Sequence, residues 1–349
     1  GDEFTLLLQN IANSTDVAHI AQKVIDSIQQ PADINGHEVV VGCSIGIAIY
    51  PEAGRDADTL LKHADMAMYK AKQQGRNNFQ WYTSDLNQRV CEHASLRNDL
   101  QKAIETQTLQ LHYQPQVDAR TGRVVGLEAL LRWEHPEKGL LMPGQFLPLV
   151  EQVGLSKELD LLLLDKAVCT LAEWKKQGIH VPMAVNMSPV HFQVDGLKSR
   201  IQQLLLKYQV SPAVLELEIT ENTAMGDMEK GSNYINELQQ MGIRVSIDDF
   251  GTGYSSLGYL RKMPIDKIKI DRSFVTEMAA NDSDMMIVKT MITLAHGLGK
   301  RILAEGVETE TQLQLLRTLA CDAIQGYLLA KPLPEAEALA LLNGCVLSK

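Results

Sequence analysis

Apolar and polar positions follow two regimes along this chain. In the first, Phe4–Gln9 is a short apolar run that predicts a strand, and Thr15–Gln30 repeats apolar residues at helical spacing. Val39–Ile49 alternates like a half-buried strand, and Ala57–Gln74 predicts a helix stopped by Gly75. Thr83–Glu105 is polar, helical in pattern and free of proline and glycine, which suits a stiff helical linker. From Leu109 the second regime begins. Its β runs are Gln110–Val117, Val124–Trp133, Met183–Met187, Leu215–Ile219, Arg244–Phe250, Lys267–Ile270, Arg301–Val307 and Ala323–Leu329. Helical stretches lie between them at Leu159–Gln177, Leu197–Tyr208, Met228–Met241, Asp284–Leu298 and Thr311–Leu319. Two helix starts carry caps: Ser188-Pro189 sets a hydroxyl before a first-turn proline, and Thr309 with Gln312 resembles a capping box. Strands alternating with helices over roughly 240 residues predict an α/β fold, a TIM-like (β/α)8 barrel. A doubly wound open sheet fits the same periodicity. The expected domains are 1–82, a smaller α+β unit; 83–105, the linker; and 106–349, the barrel.

Composition narrows the function classes. Hydrophobic residues make up 45% and charged residues 22% of the 349, as in soluble globular proteins. No apolar run approaches the ~20 residues that cross a bilayer. Leu159–Val168 comes nearest, but Asp160, Asp165 and Lys166 interrupt it, so it reads as a buried helix. The five cysteines are scattered without a CxxC pair, which suits reduced thiols in the cytoplasm. The chain opens in mid-motif, so targeting or membrane-anchoring segments of a longer parent are expected upstream, and no membrane contact is expected here. A net charge of -10 argues against a nucleic-acid polymer as partner. It allows a small phosphate-bearing substrate if carboxylates first hold a divalent cation that faces the phosphate.

A barrel gathers its chemistry at the C-terminal ends of its strands. There, polar residues interrupt apolar runs: Glu128 in the second run, Asn186 in the third, Glu218 in the fourth, Asp248 and Asp249 in the fifth. Lys269 follows in the sixth, Glu305 in the seventh and Gln325 in the eighth. Each alone reads as a solvated or salt-bridged strand-end group. Together they do not, because every strand from the second onward contributes. Converging carboxylates repel one another and take up protons unless cations sit among them. Oxygen donors without cysteine or histidine suit Mg²⁺ or Mn²⁺ rather than zinc.

Glu128-Ala129-Leu130-Leu131-Arg132 resembles the signature that names EAL domains. Further matches are Tyr113-Gln114-Pro115, Asn186-Met187-Ser188, Glu218-Ile219-Thr220-Glu221, Asp248 to Gly253, Lys269-Ile270-Asp271, Glu305-Gly306-Val307-Glu308 and Gln325-Gly326-Tyr327, in order over about residues 95 to 345. The resemblance implies hydrolysis of cyclic di-GMP to linear 5'-pGpG with two Mg²⁺ or Mn²⁺ ions per active site. It implies that Glu128, Asn186, Glu218 and Asp248 bind one ion, and that Asp248 bridges to a second held also by Asp249. Lys269 and Glu305 would orient the attacking water, with Gln325 in support. Gln114, Leu130, Arg132, Asp271 and Gln325 would contact substrate, Arg132 as a phosphate clamp. Glu221 would brace the loop Gly251–Ser256, and the barrel would form a homodimer.

At the other end, Gly1-Asp2-Glu3-Phe4 resembles the close of a GGDEF signature. Ser44–Ala48, Ala64–Tyr69 and Ala71–Asn77 resemble the second half of that domain. The resemblance implies a metal contact for Glu3 and GTP-phosphate contacts for Lys72 and Arg76. Cyclase activity is not expected from a partial domain. Two other readings stay open at this point. One is a catalytically inactive cyclic di-GMP receptor on the same fold. The other is an unrelated barrel enzyme that uses Mg²⁺ for enolate chemistry.

Overall fold

The computed structural model describes residues 2–9, 11, 14–34, 37–83, 96–189, 196–226, 228–252 and 257–344. They divide into two units, Gly1–Asp99 and Leu100–Lys349. In the first, α1 (Ser14–Ile28) precedes a hairpin of β1 (Ala32–Ile34) and β2 (His37–Val39). Then β3 (Ile45–Ile47), α2 (Ala57–Gln73) and β4 (Phe79–Trp81) form a parallel β-α-β unit. Asp56 starts α2 by accepting a hydrogen bond from Thr59 N at 2.8 Å. Gly46 lets α2 lie against β3, since a Cβ there would sit 1.8 Å from the Ala64 carbonyl oxygen. A small core joins Val17, Ala21 and Ile47 to Ile45, Phe79 and Trp81.

Two expectations fail in this unit. Phe4–Gln9 is not a strand: it has no ladder partner among the described residues, and Phe4 and Leu7 are 94% and 79% exposed. Val39–Ile49 is not one strand, because its ends belong to different sheets, β2 pairing with β1 and β3 with β4. Alternation reports which residues suit a pleat; it does not report which partner supplies the hydrogen bonds. Residues 84–95, most of the expected linker, lie outside the described residues. The remainder forms helix α3 (96–105), which buries Leu100, Ala103 and Ile104 along one face, so this end is not polar all round.

In the second unit eight strands close a barrel in the order β5-β13-β12-β11-β10-β9-β8-β6, with β6 pairing back onto β5. They are β5 (Gln110–Asp118), β6 (Val124–His135), β8 (Met183–Asn186), β9 (Leu215–Thr220), β10 (Arg244–Phe250), β11 (Lys267–Ile270), β12 (Arg301–Ala304) and β13 (Ala323–Ile324), while β7 (Gly139–Leu141) only extends β6. Closure rules out the open sheet. Helices α4 (Pro143–Val153) and α5 (Ser156–Lys176) follow β6, α6 (Leu197–Tyr208) follows β8, and α7 (Glu221–Gly226) with α8 (Met228–Gln240) follow β9. After them come α9 (Leu257–Leu260), α10 (Arg272–Glu277), α11 (Asp282–Gly297), α12 (Glu310–Thr318) and α13 (Glu335–Leu342). The Thr309–Gln312 capping box forms as expected. No helix among the described residues is long and apolar enough to cross a membrane.

The barrel departs from strict alternation at its first strand. β5 runs antiparallel to both β6 and β13. Its link to β6 is a tight turn in which Asp118 Oδ1 accepts hydrogen bonds from Thr121 N at 2.6 Å and Arg120 N at 3.1 Å. A parallel partner would need a crossover of about a dozen residues or more, and this link is too short for one. The last two strands are shorter than the apolar runs that announced them. Beyond Ala304 and Ile324 the chains turn away around Gly306 (φ 69) and Gly326, whose Cβ would strike the Val307 backbone.

Candidate active site

The polar residues picked out strand by strand meet at one end of the barrel. At their centre is Lys269, fully buried on β11. Its Nζ lies 2.6 Å from Glu305 Oε1, 2.7 Å from Glu218 Oε2, 3.1 Å from Asp248 Oδ1 and 3.5 Å from Glu128 Oε2. One ammonium thus serves four carboxylates. Burial opposes the charge on Lys269, yet Asp248, Glu128, Glu218 and Glu305 outweigh it and raise its pKa well above the ordinary value. Glu128 is likewise disfavoured by burial, but Lys269 and the hydrogen bonds from Gln325 and Asn186 hold its pKa below the usual range. The share of the single ammonium runs out at the others. Burial pushes Glu218 well up and Glu305 to about 8, against the pull of Lys269, and burial with the neighbouring Asp248 raises Asp249.

Amides complete one side. Asn186 Nδ2 donates to Glu128 Oε1 at 2.7 Å, and Gln325 Nε2 donates to Glu128 Oε2 at 2.5 Å and to Gln114 Oε1 at 3.0 Å. Gln114 Nε2 donates in turn to the Ala330 carbonyl at 3.1 Å. Glu218 Oε1 is buried with no hydrogen-bond partner. Such an orphan costs about 1–3 kcal/mol, more for a charged group, unless a cation or donor meets it. Oxygens of Glu128, Glu218 and Asp248 lie within 4.8 Å of one another, and so do oxygens of Asp248, Asp249 and Glu305. Two all-oxygen groups sharing Asp248 fit hard divalent cations.

Adjacent strand residues normally face opposite ways, so Asp248 and Asp249 need a device to share a site. The register of β10 shifts between Ile247 and Phe250, and Asp249 takes a left-handed backbone at φ 53. That is a bulge, the usual means of re-aiming a side chain beside an active site. Just beyond, Gly251 N donates to Glu221 Oε2 at 2.9 Å, and Glu221 is itself buried. Residues 253–256 of this loop lie outside the described residues.

Arg132 shares a strand face with Glu128 and the half-buried Leu130. It is buried, and its Nη1 donates to the Leu131 carbonyl at 2.7 Å. Asp271 caps α10, accepting from Ser273 N at 3.0 Å and from the Ser273 hydroxyl. Glu3, Lys72 and Arg76 of the first unit are exposed. Sequence reading overlooked a second polar layer beneath the first, in which Lys267 Nζ lies 2.6 Å from Glu216 Oε1 and donates to Gln116 Oε1 at 2.9 Å. The signal was present: Glu216 and Lys267 precede Glu218 and Lys269 by two residues, one pleat period.

The raised carboxyls carry a pH dependence. A carboxyl whose folded pKa is raised contributes its full stability below its ordinary value and loses it as pH rises through the folded one. In EDTA, stability should therefore fall as pH rises from the ordinary 4.5 of Glu305 through about 8. A divalent cation should flatten that slope. A urea midpoint that stays level across this window without cation would contradict the electrostatics above.

Comparison with known proteins places this geometry. Residues 97–332 match the EAL domain family, and residues 1–78 match the diguanylate cyclase, GGDEF domain family. The chain is 44% identical over 342 residues to the bifunctional diguanylate cyclase/cyclic di-GMP phosphodiesterase MucR of Pseudomonas aeruginosa, covering 97% of this chain and 50% of that protein. It is 36% identical over 334 residues to the cyclic di-GMP phosphodiesterase PdeR of Escherichia coli, covering 96% of this chain and 50% of that one. The chain thus spans about half the length of these relatives. The solved structure titled PaMucR phosphodiesterase, c-di-GMP complex, superposes with a TM-score of 0.68 at 44% identity, over 70% of this chain and 99% of that one. The EAL domain of Mycobacterium smegmatis DcpA superposes at 0.60 with 35% identity, over 69% and 100%. On this footing the chain belongs to the EAL domain family, with part of a GGDEF domain in front of its barrel.

Proposed function

We propose that this protein is a phosphodiesterase that hydrolyses one phosphodiester bond of cyclic di-GMP to give linear 5'-pGpG. The observation that carries the reading is the carboxylate cluster around Lys269, in which two oxygen groups share Asp248. Mg²⁺ or Mn²⁺ fits these donors; Glu128, Asn186, Glu218 and Asp248 would hold one ion, and Asp248 and Asp249 would hold the other. Bound there, the two ions supply positive charge and Lewis acidity towards a phosphate.

The chain's own residues do the rest. Four carboxylates against one ammonium would repel a phosphate, which makes the reaction depend on added cation. Lys269 stays protonated and fixes Glu218, Asp248 and Glu305 in one arrangement through its short contacts. Glu305, with an oxygen within 4.8 Å of oxygens of Asp248 and Asp249, is placed to hold or take a proton at its Oε atoms. Arg132 is the phosphate-binding group, and Gln114, Leu130, Asp271 and Gln325 line the substrate position. Glu221 braces the turn at Gly251 and so the placement of Asp249. Relatives named as cyclic di-GMP phosphodiesterases support the substrate class. We further propose a homodimer through the barrel and a cytoplasmic location for this part of the protein.

Incubation with cyclic di-GMP and Mn²⁺ should yield pGpG, and omission of metal should abolish it. Ca²⁺, larger and laxer in geometry, should bind yet support little turnover. Equal rates with Ca²⁺ and Mg²⁺ would defeat the two-cation arrangement. Tight binding of cyclic di-GMP without any pGpG would make the protein a receptor instead.

A further inference from the structure

Asp160 belongs to α5, outside the set of strand-end residues, and is only 5% exposed. Its helix neighbours Leu159, Leu162, Leu163 and Leu164 are buried apolar residues. A carboxylate among them is costly to bury unless it is held by donors. Asp160 Oδ2 accepts two hydrogen bonds from one residue, from Ser188 N at 3.1 Å and from Ser188 Oγ at 2.5 Å. Ser188 stands two residues past Asn186, where β8 ends. Between them, Met187 N donates to the Glu218 carbonyl at 2.9 Å. The chain leaving β8 is therefore gripped from both sides, by the neighbouring strand and by the helix outside the barrel. Asn186 sits immediately before this double grip and donates to Glu128 Oε1 at 2.7 Å.

We propose that Asp160 is a positioning residue for the cation site: it anchors the Met187–Ser188 turn and thereby sets Asn186 beside Glu128. The use of that site in hydrolysis rests on the function proposed above, but the role of Asp160 is read from cation binding itself. It parallels the hydrogen bond from Gly251 N to Glu221, which holds the turn that follows Asp249.

The test measures Mn²⁺ affinity from the electron paramagnetic resonance of free Mn²⁺, on the full chain, after circular dichroism and a thermal midpoint have established folding. Asp160→Ala removes both bonds to Ser188 and should weaken Mn²⁺ binding about 10–100-fold, the usual cost of losing a group that orients a ligand. Asp160→Asn keeps an oxygen that can accept both donors and should bind Mn²⁺ nearly as the unaltered protein does. Ser188→Ala, which removes only the hydroxyl bond, should fall between them. Combined with Asn186→Ala, Asp160→Ala should add little further loss, because the two act through one side chain. A folded Asp160→Ala with unaltered affinity, or equal losses in the alanine and asparagine variants, would overturn the proposal. If Asp160→Ala does not fold, Ser188→Ala decides, and unaltered affinity there overturns it. Unaltered protein that binds Mn²⁺ but leaves cyclic di-GMP intact would sink the hydrolase reading alone. Unaltered protein that binds no Mn²⁺ overturns both.

Discussion

Lys269→Met is expected to abolish hydrolysis and to destabilise the cation-free barrel by about 3–5 kcal/mol, the cost of removing one partner from a buried ionic group. Methionine fills much the same volume, so the loss is one of charge rather than packing. Without the ammonium, Glu128, Glu218, Asp248 and Glu305 face one another at the distances that Lys269 now spans. They can relieve the repulsion by taking up protons or cations. The deficit should therefore shrink in acid and shrink again when Mg²⁺ or Mn²⁺ is added. Urea unfolding in EDTA at several pH values, repeated with cation, reads all of this. A variant as stable as the parent in EDTA at neutral pH would mean that Lys269 is dispensable as a counter-charge.

Glu218→Gln and Glu221→Gln, three positions apart, should fail in different ways. Glu218 is fully buried, its Oε2 lies 2.7 Å from Lys269 Nζ, and its Oε1 has no hydrogen-bond partner. Glutamine keeps its shape but loses its charge, so turnover should nearly vanish and extra metal should restore little. Glu221 is buried too, and it accepts a hydrogen bond from Gly251 N, at the turn that follows Asp249. Its loss should loosen that turn and cost about 10–100-fold, as removal of a group that orients a ligand does. Raising Mg²⁺ should then recover a measurable fraction of the rate. A metal titration of both variants, each shown to be folded, separates the two roles. Full recovery of Glu218→Gln with no response from Glu221→Gln would reverse them.

Much of this site is legible in the residues alone, for a local reason. A pleat places every second side chain on one face, so a polar residue inside an apolar run such as Val245-Ser246-Ile247-Asp248 marks an inward-facing position with chemistry to do. Glu128, Asn186, Glu218, Asp248, Lys269, Glu305 and Gln325 were each visible in this way, and the barrel followed from strands alternating with helices. Register, by contrast, is a relation between strands, and nothing within one strand encodes it. Only the folded chain sets Lys269 among four carboxylates contributed by four other strands or their ends. Likewise it brings Glu305 beside Asp248 and Asp249, across a separation of more than fifty residues. The bulge that turns Asp249 to the same side as Asp248 depends on how β10 pairs with β11. The reversal of β5 depends on a turn too short for a crossover, and Phe4–Gln9 stays unpaired for want of a partner strand among the described residues. Which side chains face the barrel lumen is settled within each strand, Asp249 excepted, because alternation is a property of one strand. The tertiary structure alone decided which of them share a counter-charge, because that is settled by strand register and barrel closure, where distances between residues remote in the chain are set.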